Sequence, residues 1–212
     1  MPVKKLLPIT FFAIALAFIE AVVVVYLREL YYPEGFYFPL KLMPPGILLT
    51  EVLREIAAIV AIAAVSLANG KNRIAKLAIF LFIFGVWDVF YYVWLKALIN
   101  WPESLLTWDI LFLIPVTWVA PVLAPVIVSI VMIIMAISIL YIQTKTESPV
   151  KFNRTLFILG AVVIFISFIW NTWNTNLVTI QPTASDFPWL IFIIGVLLWC
   201  FLPRIILSTE KK

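Results

Sequence analysis

WDVFYYVWLKALINWPESLLTWDILFLIPVTWVAPVLAP, residues 87–125, is the stretch on which the reading of the chain turns. It begins inside an apolar helical run that carries one aspartate, Asp88, among Trp87, Tyr91, Tyr92 and Trp94. A second Trp-Asp pair, Trp108 and Asp109, follows in a segment bounded by Pro102 and Pro115. Pro102 suits the first turn of a helix and Pro115 lies beyond its end, so the pattern predicts a short helix over 102–113. From 110 to 142 the chain is almost wholly apolar. That is too long for one bilayer crossing and too short for two, so an interfacial or re-entrant half-helix ending at Leu113 and a span over 118–142 are expected. Non-helical backbone at membrane depth needs protein or water beside it, which makes the proline-rich 115–125 region a predicted cavity wall.

The rest of the sequence extends this reading outward. Of 212 residues 65% are hydrophobic and 12% charged, far from the composition of a soluble domain. The apolar residues fall in blocks of about 20, the length that crosses a hydrocarbon core. The predicted fold is all-α, a single membrane domain over 1–212. It has six transmembrane helices, at about 6–30, 47–68, 74–99, 118–142, 154–173 and 187–206, plus the one short interfacial or re-entrant helix. The first block is too long for a signal-peptide core and is read as an anchor. Pro33, Gly35, Pro39, Pro44 and Pro45 forbid a helix across the 31–46 segment.

Six spans put both chain ends on one side, and 11 of the 15 basic residues fall on that side with them. The positive-inside rule makes it the cytoplasmic face of a multi-pass cell-membrane protein. The acids distribute oppositely: only Glu147 and Glu210 are cytoplasmic, and the outer half holds nine acids against Arg28, Lys41, Arg54 and Lys96. The loops at 31–46, 100–117 and 174–186 are expected outside.

Helix rise turns sequence position into depth. Glu20 lies 14 residues past Leu6 and Asp88 14 past Ile74, so both sit roughly 21 Å from the cytoplasmic boundary. Glu51 and Glu55 fall roughly 6 and 12 Å below the outer end of the second span, and Asn171 reaches roughly 25 Å on the fifth. Spacing sorts faces as well. Glu51, Arg54 and Glu55 share one helix face, and Asp88, Tyr92 and Lys96 another. Charged groups in the bilayer centre are costly, about 2.5–3.5 kcal/mol each, so these residues must pair, meet water or hold a ligand. The predicted ligand-binding set is therefore Glu20, Glu51, Arg54, Glu55, Asp88, Tyr92, Trp108, Asp109 and Asn171. Arg54, with help from Arg28, would leave two carboxylates in need of a cation, a proton or water.

Two structural explanations compete with a binding site. The acids would serve equally as an ion-pair knot orienting the first three spans. The aromatics would serve as an interfacial belt rather than a cage for a cation or flat ring.

Several chemistries are excluded outright. The chain has no histidine, which removes His-ligated haem, His-containing zinc sites and Ser-His or Cys-His catalysis. No other cofactor is indicated, and no metal site is assigned. The lone Cys200 forms no internal disulfide. There is no Gly-rich phosphate loop. The Glu51–Glu55 pair departs in spacing from the EExxxR element of intramembrane CAAX-type proteases, whose histidines are also missing. The net charge of +4 is ordinary for a protein with a basic cytoplasmic face, and no nucleic-acid partner is expected.

The leading expectation is an outward-facing intramembrane acidic pocket for a cation, a cationic small molecule or a lipid headgroup, in a small transporter or a binding subunit. A membrane enzyme using paired carboxylates on a lipid-linked substrate is the alternative. A structural subunit of a larger complex, or a homo-oligomer, is the third.

Overall fold

The structure, a computed structural model, describes residues 6–145, 153–174 and 182–200. Six helices are present: α1 (Leu6–Tyr31), α2 (Pro45–Asn69), α3 (Arg73–Ile99), α4 (Leu123–Lys145), α5 (Arg154–Asn174) and α6 (Trp189–Cys200). Four of them, α1, α3, α4 and α5, contain stretches long and apolar enough to cross a membrane. α2 is also long, but Glu51, Arg54 and Glu55 gather in its first half. The last predicted span appears as the 12 residues of α6, and its remainder, with the basic tail, lies outside the described residues. So do most of the 143–153 linker and positions 175–181 of the loop before α6.

Local chemistry sets the helix ends. Pro45 opens α2, where its missing N–H would have no partner in any case. The Asn72 side chain caps α3 by accepting the Ala75 N–H at 2.8 Å. Asn100 closes α3 in the left-handed conformation at φ 54°, which Asn tolerates better than most residues. No helix lies between Tyr31, the last residue of α1, and Pro45, as the prolines there require.

The expected short helix over 102–113 is not there, and the fold is not purely α. Residues 102–107 form turns, and β1 (Trp108–Phe112) pairs antiparallel with β2 (Trp118–Pro121). The register sets Trp108 opposite Pro121, Asp109 opposite Ala120 and Ile110 opposite Val119, with an irregularity before the Phe112–Trp118 pair. α4, the helix expected as the fourth span, accordingly starts at Leu123, five residues later than expected. The reason is physical. Aromatic and β-branched residues suit a pleated surface, and Pro121 would break a helix running through 118–125. Pairing satisfies the backbone groups that such a break would orphan at depth. Pro125 falls within the first turn of α4, where proline is tolerated.

α3 is the hub, packed against α1, α2 and α4, while α5 pairs with α6 and also meets β2. Between helices in lipid, close approach replaces the hydrophobic drive. At Gly85 a Cβ would come within 2.7 Å of the Ser129 carbonyl oxygen, so α3 and α4 touch there backbone to backbone. α5 and α6 do likewise at Gly160 and Gly195, with the Trp199 indole seated over Gly160 and donating to the Phe157 carbonyl at 2.9 Å.

Candidate functional site

Three helices and the hairpin enclose a cavity of about 130 Å³, room for several water molecules or a small ligand. α1 contributes Glu20 and Arg28; α2 contributes Glu51, Arg54 and Glu55. α3 contributes Trp87, Asp88, Tyr91 and Tyr92, and β1 contributes Asp109 with the Ile110–Phe112 run. Seven of the nine sequence-predicted residues thus line one cavity: Glu20, Glu51, Arg54, Glu55, Asp88, Tyr92 and Asp109.

Their pairing is unequal. Arg54 stands between two carboxylates. Its Nη1 donates to Glu20 across the α1–α2 gap and its Nε donates to Glu51 at 2.8 Å, one turn back on the same helix. Arg28 goes instead to Asp109, donating through Nη2 to Oδ1 at 3.0 Å. Its guanidinium lies 3.7 Å from the Trp101 ring centroid and 4.5 Å from that of Phe36, a stacked and nearly buried position. Arg28 therefore does not help neutralise the carboxylates of the first three helices, contrary to the expectation from the sequence. Arg28 Nη1 is buried without a hydrogen-bond partner among the described residues, whereas the Tyr91 and Tyr92 hydroxyls stand beside the Asp109 carboxyl.

Two carboxylates are left with neutral donors only. Glu55, 6% exposed, accepts the Leu113 backbone N–H on both oxygens, at 2.9 and 3.1 Å. This bond pins the end of β1 to α2. Asp88 accepts the Ser129 hydroxyl from α4 at 2.8 Å, one helical turn from the Gly85 contact that brings α4 so near. Neither Glu55 nor Asp88 forms an ion pair among the described residues. At the other end the cavity is lined by Tyr31, Tyr32, Met43 and the exposed Lys41, whose backbone N–H donates to the Tyr32 hydroxyl at 2.7 Å. The cavity wall thus carries five acids against Arg28, Arg54 and Lys41.

Two predicted residues lie elsewhere. Trp108 is buried with its ring against Phe38 and Phe187, and its indole N–H has no partner among the described residues. It neighbours Asp109 on a strand, where adjacent side chains point to opposite faces. Asn171 is buried on α5 and donates to the Asp186 carbonyl oxygen at 3.1 Å, tying α5 to the turn before α6. Near it, the Thr172 hydroxyl donates to the Thr117 carbonyl at 2.6 Å and holds the hairpin's tip. Outside the spans, the Thr183 N–H and hydroxyl both donate to Asp186 and hold its exposed carboxyl below its ordinary pKa.

No three acidic or cysteine side chains among the described residues stand close enough together to hold a metal ion. What the cavity offers instead is negative charge beside aromatic faces: Trp87, Tyr91, Tyr92 and Phe112. That combination suits a cation which is itself bulky and weakly hydrated. Comparison with known proteins gives no match: no protein family, no curated protein and no solved structure aligns significantly with the chain.

Proposed function

We propose that this is an integral membrane protein whose acidic cavity binds an organic cation, an ammonium group carried by a small molecule or by a lipid headgroup. The observation that carries the proposal is the imbalance at Glu55 and Asp88. Glu20, Glu51 and Asp109 have guanidinium partners, whereas these two carboxylates line the same cavity without one. Buried charge without a counter-charge is costly. A bound cation supplies the missing partner, and the aromatic walls give an alkylated ammonium faces to rest on. The absence of a three-carboxylate cluster among the described residues favours an organic cation over a divalent metal.

In the arrangement we favour, α2 and α6 join the four long apolar helices to make six crossings, with both termini cytoplasmic. The charge distribution supports this orientation, because Lys71, Arg73, Lys76, Lys145 and Arg154 then share the inner face. The cavity would face outward, since Glu20 and Asp88 lie past the midpoints of α1 and α3 from that face and Tyr31, Tyr32 and Lys41 line its other end.

Binding of tetramethylammonium to the purified chain in lipid nanodiscs tests the site. Glu55→Gln and Asp88→Asn are each expected to weaken binding about tenfold, roughly 1.4 kcal/mol for the loss of one close charge pair. Affinity should also fall as the medium is acidified, because protonated carboxylates offer the cation no charge. Unchanged affinity in both variants would overturn the reading. External thiol labelling of a Lys71→Cys variant in intact cells would overturn the orientation.

A further inference from the structure

The charges that line the acidic cavity are sorted along its length. Glu20, Val24, Leu27, Arg28 and Tyr31 line it from α1, at the i, i+4, i+7, i+8, i+11 spacing of one helix face, so the cavity follows α1 for roughly 16 Å. α3 climbs beside α1 in the same direction, for Tyr92 clusters with Ala21 and the Trp101 ring covers Arg28. Asp88, one turn before Tyr92, therefore lies toward the Glu20 end. So do Glu51 and Glu55, which share a helix face with the Arg54 that reaches Glu20. At this inner end four carboxylates face one guanidinium, that of Arg54. The outer end has the opposite balance: Arg28 and Lys41 face one carboxylate, Asp109.

Donors at the outer end lack acceptors. Lys41 forms no ion pair among the described residues, and its ammonium group lies over the Tyr32 and Tyr37 rings, 5.2 and 5.7 Å from their centroids. The Tyr32 hydroxyl accepts the Lys41 backbone N–H at 2.7 Å and keeps its own proton to give. Arg28 is 8% exposed, and its Nη1 has no hydrogen-bond partner among the described residues. A cavity short of a cation within and of an anion at its mouth is the complement of a molecule that carries both. We infer that the ligand is a zwitterion, an ammonium group tethered to a carboxylate or a phosphate. Its ammonium lies inward with Glu55 and Asp88, and its anion lies outward against the Lys41 ammonium and the Tyr32 hydroxyl. The inference rests on the cation reading above and adds the second charge, which fixes the direction of the ligand in the site.

Comparing zwitterions with their own esters tests the second charge. Glycine betaine, γ-butyrobetaine and ε-trimethylammoniohexanoate, a series of increasing spacer length, are each measured beside the methyl ester. Binding is to the full chain in phosphatidylglycerol nanodiscs, corrected for partitioning into empty discs. The ester keeps the trimethylammonium group and loses the anion, so the acidic inner end by itself favours the ester. The acid of the best-fitting length should instead bind about fivefold more tightly than its ester, the upper range for one exposed ion pair. Lys41→Gln, at an exposed position, should bring that ratio to about one, and Tyr32→Phe should lower it. Because each variant is judged by a ratio, a general loss of folded protein does not imitate the result. Weaker γ-butyrobetaine binding in phosphatidylcholine discs would identify the zwitterion as a lipid headgroup, which competes there; equal binding would identify a soluble molecule. Esters that bind as tightly as the acids at every length would overturn the inference and leave the cation site standing. An acid preference as large in Lys41→Gln as in wild type would overturn the assignment of the anion to Lys41. Failure of every ammonium probe, tetramethylammonium included, to bind wild type would overturn the cation reading and this inference with it.

Discussion

The two arginines of the cavity have opposite surroundings. Arg28 meets one carboxylate, Asp109, and both side chains are almost fully buried, at 9% and 2% exposure. Aromatic rings cover the guanidinium, and the charges balance. Arg54 meets two carboxylates, retains 21% exposure, and leaves the trio one negative charge in excess. The first is a closed joint that locks the hairpin to α1. The second is an open one, beside an unpaired Glu55, and has charge to offer. The same residue type thus holds elements together where the charges cancel under aromatic cover, and leaves a candidate site where they do not.

Substitution should separate the two sharply. Asp109→Ala strands the buried Arg28 charge, and such unpairing costs roughly 3–5 kcal/mol. Thermal unfolding in detergent should record it, and the double variant Arg28→Leu/Asp109→Leu should recover a good part. A double variant as unstable as the single would mean the joint is not a closed pair. Arg54→Leu should cost less, roughly 1.5–3 kcal/mol, because its group is partly solvated and its carboxylates can draw on cavity water. Pairing it with Glu20→Gln should restore stability while depressing cation affinity only modestly. A loss matching that of Asp109→Ala would erase the distinction between the joints. The smallest effect belongs to a carboxylate with no burial at all. Asp186 is held below its ordinary pKa by Thr183, so its contribution is present above the unfolded pKa and lost as pH falls through the lowered folded value. Carbon-13 NMR of its carboxyl should show a midpoint below that of a free aspartate, and Thr183→Ala should raise it. An ordinary midpoint in the wild type would remove this solvent-exposed reference from the scale.

Much of the site is legible in the amino-acid sequence. Helical spacing places Glu51, Arg54 and Glu55 on one face, and depth brings Glu20 and Asp88 level with them; all five line the cavity. Depth does not give azimuth, and Asn171 on α5 turns to Asp186 instead. The hairpin is hidden for a different reason. What makes 108–112 a strand is its pairing with 118–121, and no periodicity within the first segment announces a partner beyond a proline turn. Strand alternation, once that pairing is known, parts Trp108 from Asp109. The Leu113 amide has no signature in composition at all, because every residue except proline has one. Arg28 is visible as a basic residue in reach of the layer, but its partner depends on the hairpin.

On the cation reading proposed above, that Leu113 amide, shared between both oxygens of Glu55, would tie ligand recognition to the order of the hairpin. A cation that draws Glu55 toward itself competes with the bond that fastens the end of β1. Linkage is reciprocal: if occupancy loosens the strand, a loosened strand must favour occupancy by the same factor. Amide hydrogen exchange at Leu113 is thus a reporter carried by the backbone, reading the state of a carboxylate 58 residues away in the chain.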